Sequence, residues 1–94
     1  MDNKYHYKFY NGFKEVEVGE QNMSYLRRRG KQLAEELGVR ITLNVLNEYS
    51  GRWEYLGVDL PDGTYVNSFG DICKLNEDGR GYTIITKAKD ANKK

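Results

Sequence analysis

Cysteine, proline, histidine and tryptophan each occur only once in these 94 residues. The lone Cys73 excludes an internal disulfide, and disulfide staples become necessary only below about 40 residues, so a reducing, cytoplasmic setting is expected. An imbalance of charge is also lacking. Fifteen Lys plus Arg face fourteen Asp plus Glu, for a net +1, which excludes a globally basic nucleic-acid binder and a globally acidic DNA mimic. Any electrostatic recognition must therefore come from a local patch. There is no run of 18 apolar residues and no charged-then-apolar leader after Met1-Asp2-Asn3-Lys4, so neither a membrane partner nor secretion is expected.

Catalytic side chains are equally scarce. His6, Cys73 and the serines Ser24, Ser50 and Ser68 fall in no nucleophile-elbow or Cys/His motif, and one acid-base pair without a nucleophile makes no mechanism. His6 is better read as half of a surface cross-strand pair. Asp59, Asp62, Asp71 and Asp78 do not follow the spacing of a calcium loop, and Asp beside Gly is ordinary turn usage. Gly79-Arg80-Gly81 lacks the strand-to-helix context of a phosphate loop. The expectation is a chain that is not an enzyme and holds no metal or cofactor.

What is present suffices for one domain. Leu, Ile, Val and Phe make up about 22% of the chain, just above the level of roughly 20% below which highly charged chains stay disordered. Eight Tyr and the Trp add amphipathic bulk. The clearest local signal is Asn11-Gly12 between Tyr5-His6-Tyr7-Lys8-Phe9-Tyr10 and Phe13-Lys14-Glu15-Val16-Glu17-Val18. Asn-Gly favours a type I′ hairpin turn, which would pair Tyr10 with Phe13, Lys8 with Glu15, Tyr7 with Val16, His6 with Glu17 and Tyr5 with Val18. Tyr5, Tyr7, Val16 and Val18 would then share the inward face.

Asn22 and Ser24 are N-cap candidates for a helix whose Met23, Leu26, Gly30, Leu33, Ala34 and Leu37 share one stripe, with Gly38 as its stop. Such a one-sided helix should lie across a sheet, and Gly30 in mid-stripe suggests close helix-to-sheet approach. Val39, Ile41, Leu43 and Val45 alternate as a half-buried strand. After the turn Asn47 to Gly51, Trp53 and Tyr55 share a phase that changes beside Gly57, the mark of a bulge or strong twist. Pro61-Asp62-Gly63 turns into a strand at Thr64-Tyr65-Val66. Ser68 to Asp71 reads as loop, and Ile72 to Leu75 can pair with Tyr82 to Thr86 across the turn 76–81. The predicted fold is α+β: one helix on one face of an antiparallel sheet, in the order β-β-α-β-β-β with a further C-terminal hairpin. The domain spans 1–88 and is followed by a Lys-rich tail, 89–94, expected to be mobile.

One local rule is broken. Arg27, Arg28, Arg29 and Lys31 fall early in the helix and Glu35 and Glu36 close it, the reverse of what the helix dipole favours, at about 0.3 to 1 kcal/mol for each exposed charge near a terminus. Broken rules concentrate at functional sites. The plainer account is a solvated helix face whose long stems cover apolar edges; the functional one is a cationic flank awaiting phosphates or carboxylates. Tyr10, Tyr25 and Tyr49 sit at a hairpin tip, on the helix's polar side and in a turn, where a core role is hard to assign, and exposed Tyr and Arg are enriched in binding hot spots. Arg27, Arg28, Lys31, Arg29, Tyr25, Tyr10 and Tyr49 are the candidate partner-binding residues.

The stretch from Asn22 to about Asn67, with Ser24, Leu26, Lys31 and Leu33-Ala34 on the helix, the strand Val39 to Val45, the turn Tyr49-Ser50-Gly51, Trp53 and Asp62-Gly63-Thr64-Tyr65-Val66, resembles small anti-CRISPR proteins of phages and mobile elements. The resemblance covers about half the chain. It implies an inhibitor in a bacterial host cell that binds a protein or ribonucleoprotein complex, such as a CRISPR effector, through Arg27, Arg28, Lys31 and neighbouring Tyr, without catalysis. Two alternatives stand beside it: a small DNA- or RNA-binding module using the basic helix face, and a self-assembling subunit pairing through an exposed sheet edge.

Overall fold

The computed structural model describes residues 3–79 and 81–87; the anticipated tail 89–94 lies outside them. The chain opens with β1 (Lys4–Asn11) and β2 (Lys14–Asn22) and continues into α1 (Met23–Leu37). Five strands follow: β3 (Ile41–Asn47), β4 (Arg52–Asp59), β5 (Thr64–Asn67), β6 (Ile72–Leu75) and β7 (Tyr82–Thr86). All neighbouring strands are antiparallel, in one seven-stranded sheet of order β2-β1-β3-β4-β5-β6-β7. The fold is thus α+β with one helix on one sheet face, and the C-terminal hairpin completes the main sheet.

The N-terminal hairpin forms at the expected place in a different register. Gly12 has φ +64° while neither Asn11 nor Phe13 has positive φ, so Gly12 and Phe13 form the turn, with Gly first as a type II′ turn requires. Asn11 pairs with Lys14 and Tyr10 with Glu15; an irregularity follows, after which Phe9 pairs with Glu17, Lys8 with Val18, Tyr7 with Gly19, His6 with Glu20 and Tyr5 with Gln21. None of the five expected pairs forms. The extra residue is Val16, and a one-residue slip exchanges the faces of everything beyond it. Val18 turns outward, 50% exposed, and Glu17 turns toward the helix. Gly19 suits this register, because a Cβ there would press on the Tyr7 ring at 3.1 to 3.4 Å.

Helix α1 begins where Asn22 Oδ1 accepts the Tyr25 N–H at 2.8 Å, and it ends where Gly38, at φ +66°, donates its N–H to Ala34 O. Its buried residues Leu26, Gly30, Leu33 and Ala34 seat on Tyr7 and Phe9 of β1 and on Ile41, Leu43 and Val45 of β3. Phe9, Leu26 and Ile41 are the fully buried centre; burying each such side chain contributes about 1.5 to 3 kcal/mol.

The phase change beside Gly57 is a bulge. Leu43 pairs with Gly57 but Asn44 with Tyr55, leaving Leu56 unopposed. The Leu56 carbonyl accepts the Tyr65 hydroxyl at 2.9 Å, and a side chain on Gly57 would collide with that Tyr65. The β4–β5 turn closes as Asp62 Oδ1 accepts both the N–H and the hydroxyl of Thr64, which holds the Asp62 carboxyl below its usual value.

Candidate functional site

One helix covers one face of the sheet, and the opposite face carries no layer among the described residues. The two bulges decide what it shows. Residues paired across strands share a face, so Val18, Lys8, Asn44 and Tyr55 form one row across it and Tyr10, Thr42, Val58, Val66 and Ile72 another; Val58 in the second row is nonetheless buried, so the exposed part of the face is the first row with Trp53. Trp53, opposite Leu46, stands in the phase of Tyr55. Trp53 is 43% and Tyr55 48% exposed, and Phe13 stands free at the hairpin tip.

The Lys8 ammonium lies 4.6 Å from the centre of the Trp53 ring, a cation–π contact worth about 0.5 to 1 kcal/mol where exposed. Among the described residues no carboxylate pairs with Lys8. Trp53 and Lys8 separate two shallow hollows. One, of about 400 Å³, is lined by Tyr10, Gly12, Phe13 and Asn44 together with the ridge; the other, of about 510 Å³, by His6, Val18, Glu20 and Leu46 among others. His6 pairs with Glu20 at 3.4 Å, not with Glu17, as the register requires. The result is a partly apolar and aromatic surface with Lys8 beside Trp53 and, near Tyr55, the exposed Arg40, neither in an ion pair among the described residues.

The cations of α1 lead elsewhere. Arg29 Nε donates to Glu17 Oε1 at 2.9 Å, and Glu17 Oε2 accepts the Tyr7 hydroxyl at 2.9 Å and the Tyr25 hydroxyl at 3.4 Å. Burial first, and the Glu17 bond second, push the Tyr7 hydroxyl pKa up; the bond to Glu17 raises that of Arg29. Lys31 donates to Glu35 at 2.6 Å. The Arg27 guanidinium lies 5.4 Å from the Tyr82 ring, which stacks on Tyr65 at 4.4 Å and 3°. Arg28 is exposed, its stem passing beside Gly79. Of the tyrosines singled out from sequence, Tyr10 joins the bare-face hollow, Tyr25 faces Tyr7 and Glu17, and Tyr49 stands fully exposed in the β3–β4 turn.

This distribution accounts for part of the reversed charge order of the helix: Arg29 ties α1 to β2 and Arg27 covers an aromatic stack, whereas Lys31 pairs within the helix and Arg28 is exposed. The sequence reading did not single out Trp53, Phe13, Lys8 or Val18. The phase shared by Trp53 and Tyr55, opposite to that of Leu56, was the available signal; Val18 could be placed only once the hairpin register was known.

Among the described residues no group of three or more His, Cys, Asp or Glu side chains is arranged to hold a metal ion. Cys73 is buried, which pushes its thiol pKa up and away from reactivity. No described helix is long and apolar enough to cross a membrane. Compared with models of protein families, with curated proteins and with solved structures, the chain matches none.

Proposed function

We propose that this chain is a non-enzymatic interaction protein whose bare sheet face, anchored on Trp53, docks a protein partner. The observation that carries the reading is the half-exposed Trp53 under the Lys8 ammonium, on the same sheet face as the half-exposed Tyr55 and next to the hollow bordered by the fully exposed Phe13. Interfaces concentrate their energy in a few aromatic anchors surrounded by polar groups that exclude water. Shallow hollows suit the side chains of a protein better than a small metabolite, which takes an enclosed pocket. Tyr49, exposed in the β3–β4 turn, is a candidate for the rim, whereas Arg28 lies on the helix side of the sheet and serves as the control. The sequence resemblance makes a bacterial nucleoprotein of the CRISPR-effector kind the first partner class to test.

Single-stranded nucleic acid is the second reading, favoured by the same Trp53 and Tyr55 as stacking platforms with Lys8 for a phosphate. The net charge of +1 and the intramolecular pairing of Arg29 and Lys31 count against it. The test is a pull-down from bacterial lysate with the parent chain, Trp53→Ser and Arg28→Ala in parallel. The proposal expects one partner held through nuclease treatment by the parent and by Arg28→Ala and lost by Trp53→Ser. Retention by Trp53→Ser would overturn it, and loss on nuclease treatment would favour the second reading.

A further inference from the structure

Asp59 ends β4 beneath α1. Its pairing with Ile41 on one side and Tyr65 on the other directs the side chain toward the helix. It is 2% exposed, and its Oδ2 has no hydrogen-bond partner among the described residues. That oxygen faces Gly30, where an added Cβ would collide with it and press on Phe9 Cε1 at 3.2 Å. A carboxylate buried with one oxygen unpartnered forfeits most of its hydration for little in return, whereas the neutral acid has far less to lose.

The groups around it supply little compensation. From α1 comes Lys31, whose ammonium is held by Glu35 at 2.6 Å. From β5 comes Tyr65, whose hydroxyl is committed to the Leu56 carbonyl at 2.9 Å. From β7 comes Tyr82, stacked on Tyr65 and flanked by Arg27 of α1, and from β6 the thiol of Cys73, paired across the strands with Tyr65. Phe9 of β1 and Ile41 of β3 are apolar. Burial pushes the Asp59 carboxyl up to about 7, against a smaller opposing pull from Lys31.

We propose that the middle of α1 seats on the sheet over a protonated Asp59, and that loss of this proton loosens the seat around Gly30, making the helix a proton-sensitive clasp. The direction follows from linkage. The seated state holds the proton more tightly than the released state, in which Asp59 titrates near its ordinary value of about 3.9. The seat is therefore strongest below that value, weakens as pH rises, and reaches its weakest, constant level once the pH has passed the seated-state value of about 7.

The test is amide hydrogen exchange of Leu26 to Ala34 from pH 5 to 8, corrected for the intrinsic rate, in the parent chain and in Asp59→Asn. The expected result is an opening population in the parent that grows about tenfold per pH unit up to neutrality and then levels, and a flat profile in Asp59→Asn. The same slope in both proteins would overturn the proposal. Should Asp59→Asn not fold, the Asp59 carboxyl carbon, followed by NMR in the parent chain, decides alone: a midpoint near 7 supports the clasp and one near 4 refutes it.

Discussion

The two faces of the sheet are built from the same strands, residue by residue in alternation, yet they were put to different uses. Toward the helix, β1 and β3 present Tyr7, Phe9, Ile41, Leu43 and Val45, all buried. Away from it the same strands present Lys8, Tyr10, Thr42 and Asn44, and β4 adds Trp53 and Tyr55. An ordinary solvated sheet face would alternate to charged and small polar residues. This one keeps large aromatic groups half in water, which does nothing for the stability of the free chain, and the proposed docking on the bare face rests on that contrast with the covered face, which holds the core.

Substitutions on the covered face should break the fold. Phe9→Ala, at the fully buried centre, is expected to cost about 3 to 5 kcal/mol and Leu26→Ala about 2 to 5, read as a lower urea midpoint with unchanged slope, or as loss of the folded protein. Gly30→Ala sets two effects against each other. Helix propensity alone would favour Ala by up to about 1 kcal/mol, but the methyl meets Asp59 and Phe9, and overpacking of about 1 to 3 kcal/mol wins; thermal melting should show a net loss. Glu17→Gln, which leaves Arg29 without its anionic partner, should cost about 1 to 2 kcal/mol in the same assay.

The bare face should behave oppositely. Tyr55→Ser and Phe13→Ser should leave stability within about 0.5 kcal/mol while weakening partner binding tenfold or more, the signature of residues spent on recognition. Lys8→Met, which removes one exposed cation–π contact with Trp53, is expected to change stability by no more than about 0.5 kcal/mol and to weaken partner binding less than the aromatic substitutions do. A Trp53, Tyr55 or Phe13 variant that unfolds the chain would erase the distinction between the faces.

How much of this was legible in the sequence depends on how local each feature is. The helix ends were readable because Asn22 and Gly38 act within a few residues of themselves, and the β4 bulge because Gly57 interrupts a period-two pattern. The hairpin register was not. Asn11-Gly12 suits a type I′ turn and Gly12-Phe13 a type II′ turn, and the choice falls to side chains far along the chain: Arg29 and Tyr25 of α1 meet Glu17 on the helix side, which requires Val16 to bulge. The reversed charge order of α1 was visible, but its partners were not, since Glu17 and Tyr82 lie on strands at opposite edges of the sheet. Asp59 looked like turn chemistry beside Pro61 and Asp62, and only the seating of Gly30 reveals it as buried.

Trp53 is the chain's single tryptophan, so under tryptophan-selective excitation, and with the free partner's emission subtracted in the complex, its fluorescence reports on the bare face. Acrylamide quenching of that emission, measured in the free protein and again in the purified complex with the captured partner, addresses the central assignment most directly. The account predicts solvent-like, readily quenched emission in the free chain and a blue-shifted, protected emission in the complex. Identical emission and quenching in both states would place the partner somewhere other than the bare face and contradict it.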